Sequence, residues 1–439
     1  GSLIGLGRYQ KALPRALALK QAGDGSSKML TPARSISPSL RPRGRAVRTV
    51  ELTQPLQPMI DIAAYPAVRV FVTRQGKLLG HLDIVNFYQP VTIERLSEAI
   101  VDHIGLKLLD ADPEQSITQL SSDVVKTLRA AYLPLLYHQT SDLTVSIVVA
   151  TFNRPDDLRI CLRHLLNQTT ACRVEIIVVD NHPVSGLTPP VVAEFPEIVF
   201  VTEARAGLAY ARNAGVTAST GKIIVMTDDD VVAPPEWLER LVEPFADPNV
   251  MIVTGNTLPL ELETPAQQSF ELYGGLGRGF TPRRVDGAWF HSIRSSAVPT
   301  WQLGATANAA FRATIFSHPQ IGLMYEPLGP GMPSGVGEDT YLFYKTLKAG
   351  YTLAYHPEAF VWHRHRRELA ALRRQIYNYS KGHVAYHLTT LFRDGDQRGL
   401  RHLMLLPLWH TRKLMTQTKA LVRGRNDYPL SLTLTEIAG

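Results

Sequence analysis

Only two cysteines, Cys161 and Cys172, occur in the 439 residues. Two thiols at that spacing make neither a disulfide framework nor a metal knuckle, so a disulfide-stapled scaffold and a zinc ribbon are excluded, and a reducing compartment fits best. Long apolar runs are also missing. No stretch approaches the roughly 18 consecutive apolar residues of a membrane-spanning helix, which rules out an integral channel, transporter or pore-forming synthase. The first residues, Gly1-Ser2 onward, carry no charged, apolar, cleavage-site pattern of a secretory signal, so a cytoplasmic location is expected. Neither GxGxxG nor GxxxxGK[ST] occurs, which disfavours the general nucleotide-binding folds. Disorder is not the general state either: 45% of the residues are hydrophobic and 19% charged, enough to build real cores, and the length suggests two or three domains.

Charge is unevenly placed. Residues 1–50 hold ten Lys/Arg against one acid, residues 364–439 hold fourteen against five, and the net charge of +7 therefore leaves −11 for residues 51–363. Basic ends around an acidic centre predict that the ends meet an anionic surface and that the central carboxylates bind cations or move protons. Nucleic acid is disfavoured because no aromatic stacking platform interleaves with the basic runs. Phospholipid head groups are the preferred surface, which places the protein on the inner face of a membrane as a peripheral component.

Four regions are expected. Residues 1–50 form a basic, partly disordered segment, with a short amphipathic helix over Leu3–Lys20 and a Ser/Pro/Gly/Arg-rich linker from Gly23 to Arg48. Residues 51–140 form a small α+β accessory module: VRVFVT and LLGHLDI read as two strands about a Gly-containing turn, followed by a helix near 93–104. It carries no catalytic constellation, so docking or dimerisation is its expected role, and a homo-oligomer stays open. Residues 141–365 alternate buried strands (VSIVVA, VEIIVVD, KIIVMT) with helical patterns, which predicts an α/β doubly wound, mostly parallel sheet whose ligands lie beyond the carboxyl ends of the strands. Residues 366–439 read as basic helices, and 399–425 combines an apolar face, Trp409 and several basic residues, as an interfacial helix or one packed back on the protein would.

At the strand ends, Asp228, Asp229 and Asp230 follow KIIVMT. Like charges packed there need a cation, and hard oxygen ligands suit Mn²⁺ or Mg²⁺; an acidic helix cap before Pro234-Pro235 would account for one Asp but not three. Asp180 ends VEIIVVD, as a ligand residue or a turn former would. Glu338-Asp339 opens a helical pattern after a Gly-rich turn, where carboxylates serve as caps or as a general base.

SIVVATFNRP (146–155), Asp180-Asn181, RAGLAYARNAG (205–215), TDDDV (227–231), GATANAAFR (304–312), GEDTYLFYKTLKAGY (337–351) and VWHRH (361–365) together resemble the family 2 glycosyltransferases with the GT-A fold, of the non-processive bacterial type. The resemblance covers about residues 143–385. It implies that Thr151, Asn153 and Arg154 lie on the loop that holds a uridine, that Asp180 accepts a hydrogen bond from the uracil edge, and that Arg212 and Asn213 flank the nucleotide, with Gly207 allowing close approach. Asp228 joins this nucleotide set. The acidic motif has Thr227 where the family often has its first Asp; Asp229 is taken as the principal metal ligand, with Asp230 and His363 completing the set. By the same resemblance Asp339 is the general base, and Glu338, Trp301 and Asn308 border the sugar or acceptor. The Gln-x-x-Arg-Trp of the processive synthases is missing, since Gln375 precedes Ile-Tyr-Asn-Tyr, which favours a single transfer.

The expected function is metal-dependent, inverting transfer of a sugar from a nucleotide sugar, UDP-linked in the first instance, to a hydroxyl of a saccharide or lipid-linked saccharide acceptor in polysaccharide biosynthesis. The alternatives are a sugar nucleotidyltransferase and a catalytically silent nucleotide-sugar-binding scaffold.

Overall fold

The structure is a computed structural model, and it describes residues 44–108, 143–423 and 428–439. The expected helix over Leu3–Lys20 and most of the 23–48 linker lie outside the described residues. The end of that linker does not: β1 (Arg45–Glu51) is a strand. It runs parallel to β2 (Ala67–Arg74), which pairs antiparallel with β3 (Lys77–Val85). The boundary drawn at residue 50 therefore cuts through a strand. The alternation of Ala46, Val68, Val70, Leu82 and Ile84 toward one buried face, with Leu96, Ile100 and Ile104 of helix α1 (Ile93–Leu108) closing it, makes a small core. The opposite face presents Phe71 and Leu78 to Leu258 and Phe360 of the larger sheet, and the Phe71 ring meets Trp362 edge-on at 4.9 Å.

The larger sheet has nine strands. Its order is β10 (Arg283–Val285), β12 (Thr352–His363), β9 (Val250–Pro259), β11 (Asn308–Arg312), β7 (Ile223–Asp228), β4 (Thr144–Thr151), β5 (Arg173–Asp180), β6 (Val199–Thr202), with β8 (Val231–Val232) paired to β12. β4, β5, β6 and β7 are mutually parallel, and β11 is antiparallel to both its neighbours. Strands buried on both faces need continuous apolar, β-branched sequence, and TVSIVVAT and RVEIIVVD supply it. One face is covered by α2 (Pro155–Leu166), α3 (Thr188–Val192) and α5 (Trp237–Val242), the other by α4 (Leu208–Ala218), α7 (Gly287–Ser292) and α8 (Glu338–Lys348). α6 (Pro265–Tyr273) is closed by a Thr264/Gln267 capping box. α2 illustrates the local logic. Pro155 opens it, Asp156 and Asp157 sit in its first turn, and Leu158, Cys161, Leu162 and Leu165 recur at the helical period on its buried face.

Register aligns the strand ends that matter: Thr151 pairs with Asp180, and Ala150 with Asp228. After the sheet, α9 (Leu369–Asp394) ends at Gly395 in the left-handed region (φ 67°). α10 (Arg398–Val422) follows, and α11 (Leu430–Ala438) seats Leu432 against Phe270, Leu372 and Ile376.

Candidate active site

The site begins where β7 stops. Asp228 is its last residue, Asp229 and Asp230 form the turn, and β8 starts at Val231. Asp229 points to Thr151, whose Oγ1 donates at 2.7 Å, and to the Arg154 guanidinium at 3.1 Å. The same Arg154 Nη1 donates to Asp230 Oδ2 at 2.5 Å, while Asp228 accepts from Arg212. Because β8 pairs His363 with Val231, the His363 Nε2 lies 3.2 Å from Asp230 Oδ1, and one donor atom each from Asp228, Asp230 and His363 falls within 4.8 Å of the others. Asp229, expected as the principal metal ligand, is engaged with Thr151 and Arg154 and lies outside this group of three, whereas Asp228 lies within it.

Electrostatics separate the two buried carboxyls. Burial and the adjacent Asp230 charge push Asp229 up to about 7. Burial acts on Asp230 in the same direction, but the His363 ring and Arg154 more than reverse it and hold that carboxyl well below its ordinary value. Asp230 raises His363 against the effect of the ring's own burial. Asp230 Oδ1 is buried without an aligned hydrogen-bond donor. Two carboxylates and an imidazole, with an acceptor oxygen left open, fit a divalent cation. Behind them His363 Nδ1 lies 3.1 Å from His365 Nδ1, His365 Nε2 lies 3.0 Å from Glu271, and Glu271 takes Arg69 of β2 at 3.2 Å.

Next along the sheet, Asp180 is fully buried. Its Oδ1 accepts the His182 backbone N–H at 2.9 Å, and its Oδ2 has no partner. Asn181 Nδ2 donates to the carbonyls of Glu203 and Arg205, and its Oδ1 accepts from the Gly207 N–H. Asn153 adopts the left-handed region (φ 57°) and places its Oδ1 3.0 Å from His182 Nδ1. Phe152, half exposed, lies against the His182 ring at 4.8 Å.

The far wall is helix α8. Its first residue, Glu338, is buried; it accepts Arg212 Nη1 at 2.9 Å, and Arg212 Nη2 reaches Asp228 at 2.8 Å. Burial and the Asp339 charge raise Glu338 to about 7 in spite of Arg212. Asp339 is half-buried, with Oδ1 accepting the Thr340 N–H and Oδ2 at 3.4 Å from the Thr306 N–H.

Residues 146–286 match the family described as Glycosyl transferase family 2, and residues 223–425 match Glycosyl transferase family group 2. The chain belongs to glycosyltransferase family 2. It is 30% identical over 234 residues to the succinoglycan biosynthesis protein ExoM of Rhizobium meliloti, a match covering 50% of this chain and 66% of that one. Glycosyltransferase AglE of Haloferax volcanii is 24% identical over 273 residues, 60% of this chain and 79% of the relative. Among solved structures, the mannosyltransferase PcManGT of Pyrobaculum calidifontis superposes with a TM-score of 0.41 at 18% identity, covering 60% of this chain and 69% of that one.

Several residues assigned by resemblance make buried contacts within this glycosyltransferase. Arg212 is buried between two carboxylates and bridges the acidic turn to α8; its charge is not free for a phosphate. Glu338, expected to border the sugar or acceptor, is its partner. Asn213 exchanges two hydrogen bonds of 3.0 Å with the Met324 backbone. Asn308 is fully buried: Oδ1 accepts from the Trp237 indole, and Nδ2 donates to Asn256 and Ala359 carbonyls. Gly207 (φ 146°) serves close approach to the Gly-rich loop, since a Cβ there would meet Met332 Sδ at 3.1 Å. Trp301 packs edge-on against the His383 and His387 rings and tilted against His402. Four residues beside the site had no role in the sequence analysis: His365, visible within VWHRH; Thr306, whose backbone N–H faces Asp339; and the pair Phe152 and His182, whose contact depends on the Asn153 turn.

Proposed function

We propose that the protein transfers a sugar from a UDP-sugar to a hydroxyl of a saccharide or lipid-linked saccharide, with inversion, and that Asp339 is the base. The observation that carries this reading is the Asp228–Arg212–Glu338 bridge. It ties the start of α8, and thus Asp339, to the acidic turn, so that donor and acceptor groups move as one rigid wall.

Asp339 takes the proton of the acceptor hydroxyl as the oxygen attacks the anomeric carbon. The bond from that carbon to the diphosphate oxygen breaks, its electron pair leaving with UDP. Glu338 is occupied by Arg212 and is no second nucleophile, which supports one displacement over two. Asp228, Asp230 and His363 would hold Mn²⁺ or Mg²⁺, which supplies neutralisation of the charge that develops on the leaving diphosphate. The unpaired Asp180 Oδ2 suits the imide N–H of uracil, and Phe152 with His182 offers an apolar platform beside it. The name of the succinoglycan biosynthesis relative supports a polysaccharide or lipid-linked acceptor.

Among the described residues no helix is long and apolar enough to cross a membrane. α10 nonetheless exposes Met404, Leu405, Leu408 and Trp409 among basic residues, which supports peripheral attachment to an anionic leaflet. Flotation with anionic vesicles at low salt should carry the protein upward; its absence from the floating fraction would remove the membrane part. Turnover separates the enzyme from a silent scaffold: UDP release by the wild type and its loss in Asp339→Asn, with donor binding retained, supports catalysis.

A further inference from the structure

Behind the Asp339 wall, away from the acidic turn, three histidines point their ring nitrogens at one another. His383 and His387 stand one turn apart on α9, and His402 comes from the start of α10. His383 Nε2 lies 2.8 Å from His402 Nε2 and 3.3 Å from His387 Nε2, and one nitrogen from each ring falls within 4.8 Å of the others. His387 is 1% exposed. α10 approaches this closely because Gly399 has no side chain: a Cβ there would meet His387 Nδ1 at 2.9 Å.

Hydrogen bonding alone accounts poorly for the arrangement. An imidazole nitrogen offers one proton or one lone pair, never both. With His383 Nε2 facing two other Nε2 atoms, at most one good N–H···N bond forms, and the remaining nitrogen is held close without compensation. A cation at the centre satisfies all three lone pairs together. Tetrahedral zinc bound to imidazole at about 2.0–2.1 Å sets its nitrogens about 3.3 Å apart, which is the His383–His387 spacing, and a small ring movement would open the 2.8 Å His383–His402 spacing to it. Trp301 closes the cluster with its ring edge-on to His383 and His387, at centroid distances of 4.8 and 5.4 Å.

We propose that His383, His387 and His402 form a second metal site, selective for a borderline-soft ion of the Zn²⁺ class and separate from the carboxylate site of the donor. All-nitrogen ligation discriminates against Mg²⁺ and Mn²⁺, which favour oxygen. Three ligands leave a fourth tetrahedral position for water or another exchangeable group. The metal fastens α10 to α9 and to the Trp301 segment. That segment leads into Thr306, whose N–H faces Asp339, so the site braces the catalytic wall from behind. The proposal does not depend on the identity of the sugar donor.

The test uses the full, tag-free chain stripped by chelator, then loaded with Zn²⁺ or Co²⁺ in excess Mg²⁺ and desalted before metal analysis. The wild type should retain about one zinc per chain and, with Co²⁺, show the intense visible bands of a tetrahedral nitrogen site. Asp230→Asn should keep both. His402→Gln should lose zinc affinity by more than about 100-fold, since loss of an outer-shell partner alone costs 10- to 100-fold. His387→Gln gives an independent reading, with circular dichroism checking that each variant folds. No zinc on the wild type, zinc undiminished in folded His402→Gln and His387→Gln, or zinc lost only in Asp230→Asn would each overturn the proposal.

Discussion

Two histidine-bearing clusters lie on the same chain, built to opposite rules. At the end of β7, His363 is surrounded by charge: Asp228, Asp229 and Asp230 face Arg154, Arg212 and the imidazole itself. Behind α8, His383, His387 and His402 face one another and Trp301, with burial lowering each ring's proton affinity. The first cluster raises its histidine's affinity for a proton and presents hard oxygens; the second keeps its rings neutral and presents nitrogen alone. Residue type alone would label both as metal sites. On the readings proposed above, their surroundings suit them to different ions and different tasks, one meeting a leaving diphosphate and the other joining helices.

The largest expected effect is on the chemistry of the first region. Asp339→Asn should lower turnover by about 10²- to 10⁴-fold while UDP-sugar binding, read by calorimetry, stays within a few-fold. An equal loss of binding would mean that Asp339 holds the donor. Arg212→Leu leaves Glu338 buried without its cation and should cost about 3–5 kcal/mol in urea unfolding. A cost below about 1 kcal/mol, the range of exposed pairs, would show that the bridge between turn and helix is dispensable.

Glu338 supplies a pH test. Its carboxyl is raised from 4.5 to about 7 in the folded chain, so the folded state favours the neutral form. The stability this confers is complete below the unfolded pKa and is lost as pH rises through about 7. Between pH 4.5 and 8 the wild type should lose on the order of 3 kcal/mol relative to Glu338→Gln, since each pKa unit is worth about 1.4 kcal/mol. Parallel stability curves for the two proteins would contradict the assignment. The smallest effect sharpens the boundary of the charged cluster: Arg69→Ala removes the outer end of the Glu271–His365–His363 chain. It should weaken the metal dependence of turnover by up to about 10-fold, the low end for a partner behind a ligand, with little change in the donor KM at saturating metal.

Much of the larger sheet was legible because its strands are continuous β-branched runs that end on polar residues. The acidic turn was legible as a site, but not how it divides its carboxylates, with Asp229 on Thr151 and Arg154, Asp230 on Arg154 and His363, and Asp228 on Arg212. The buried contacts of Arg212, Asn213 and Asn308 were not legible for a common physical reason. A polar residue beside a ligand motif can be consumed by buried partners, and sequence carries no record of which backbone carbonyls need a donor. The start of β1 was hidden because the composition of the preceding residues reads as linker, whereas pairing with β2 decides its conformation. The i, i+4 spacing of His383 and His387 was visible in the sequence. His402 joins them only through the turn at Gly395 and the close approach at Gly399.

The most direct test is UDP release from a panel of UDP-sugars with Mn²⁺, Mg²⁺ or chelator, comparing the wild type with Asp339→Asn and Asp230→Asn. Metal-dependent release from one donor, abolished by both substitutions, is the expected result. Release that persists in folded Asp339→Asn, or that is indifferent to chelator in the wild type, would contradict a metal-dependent transfer driven by that base.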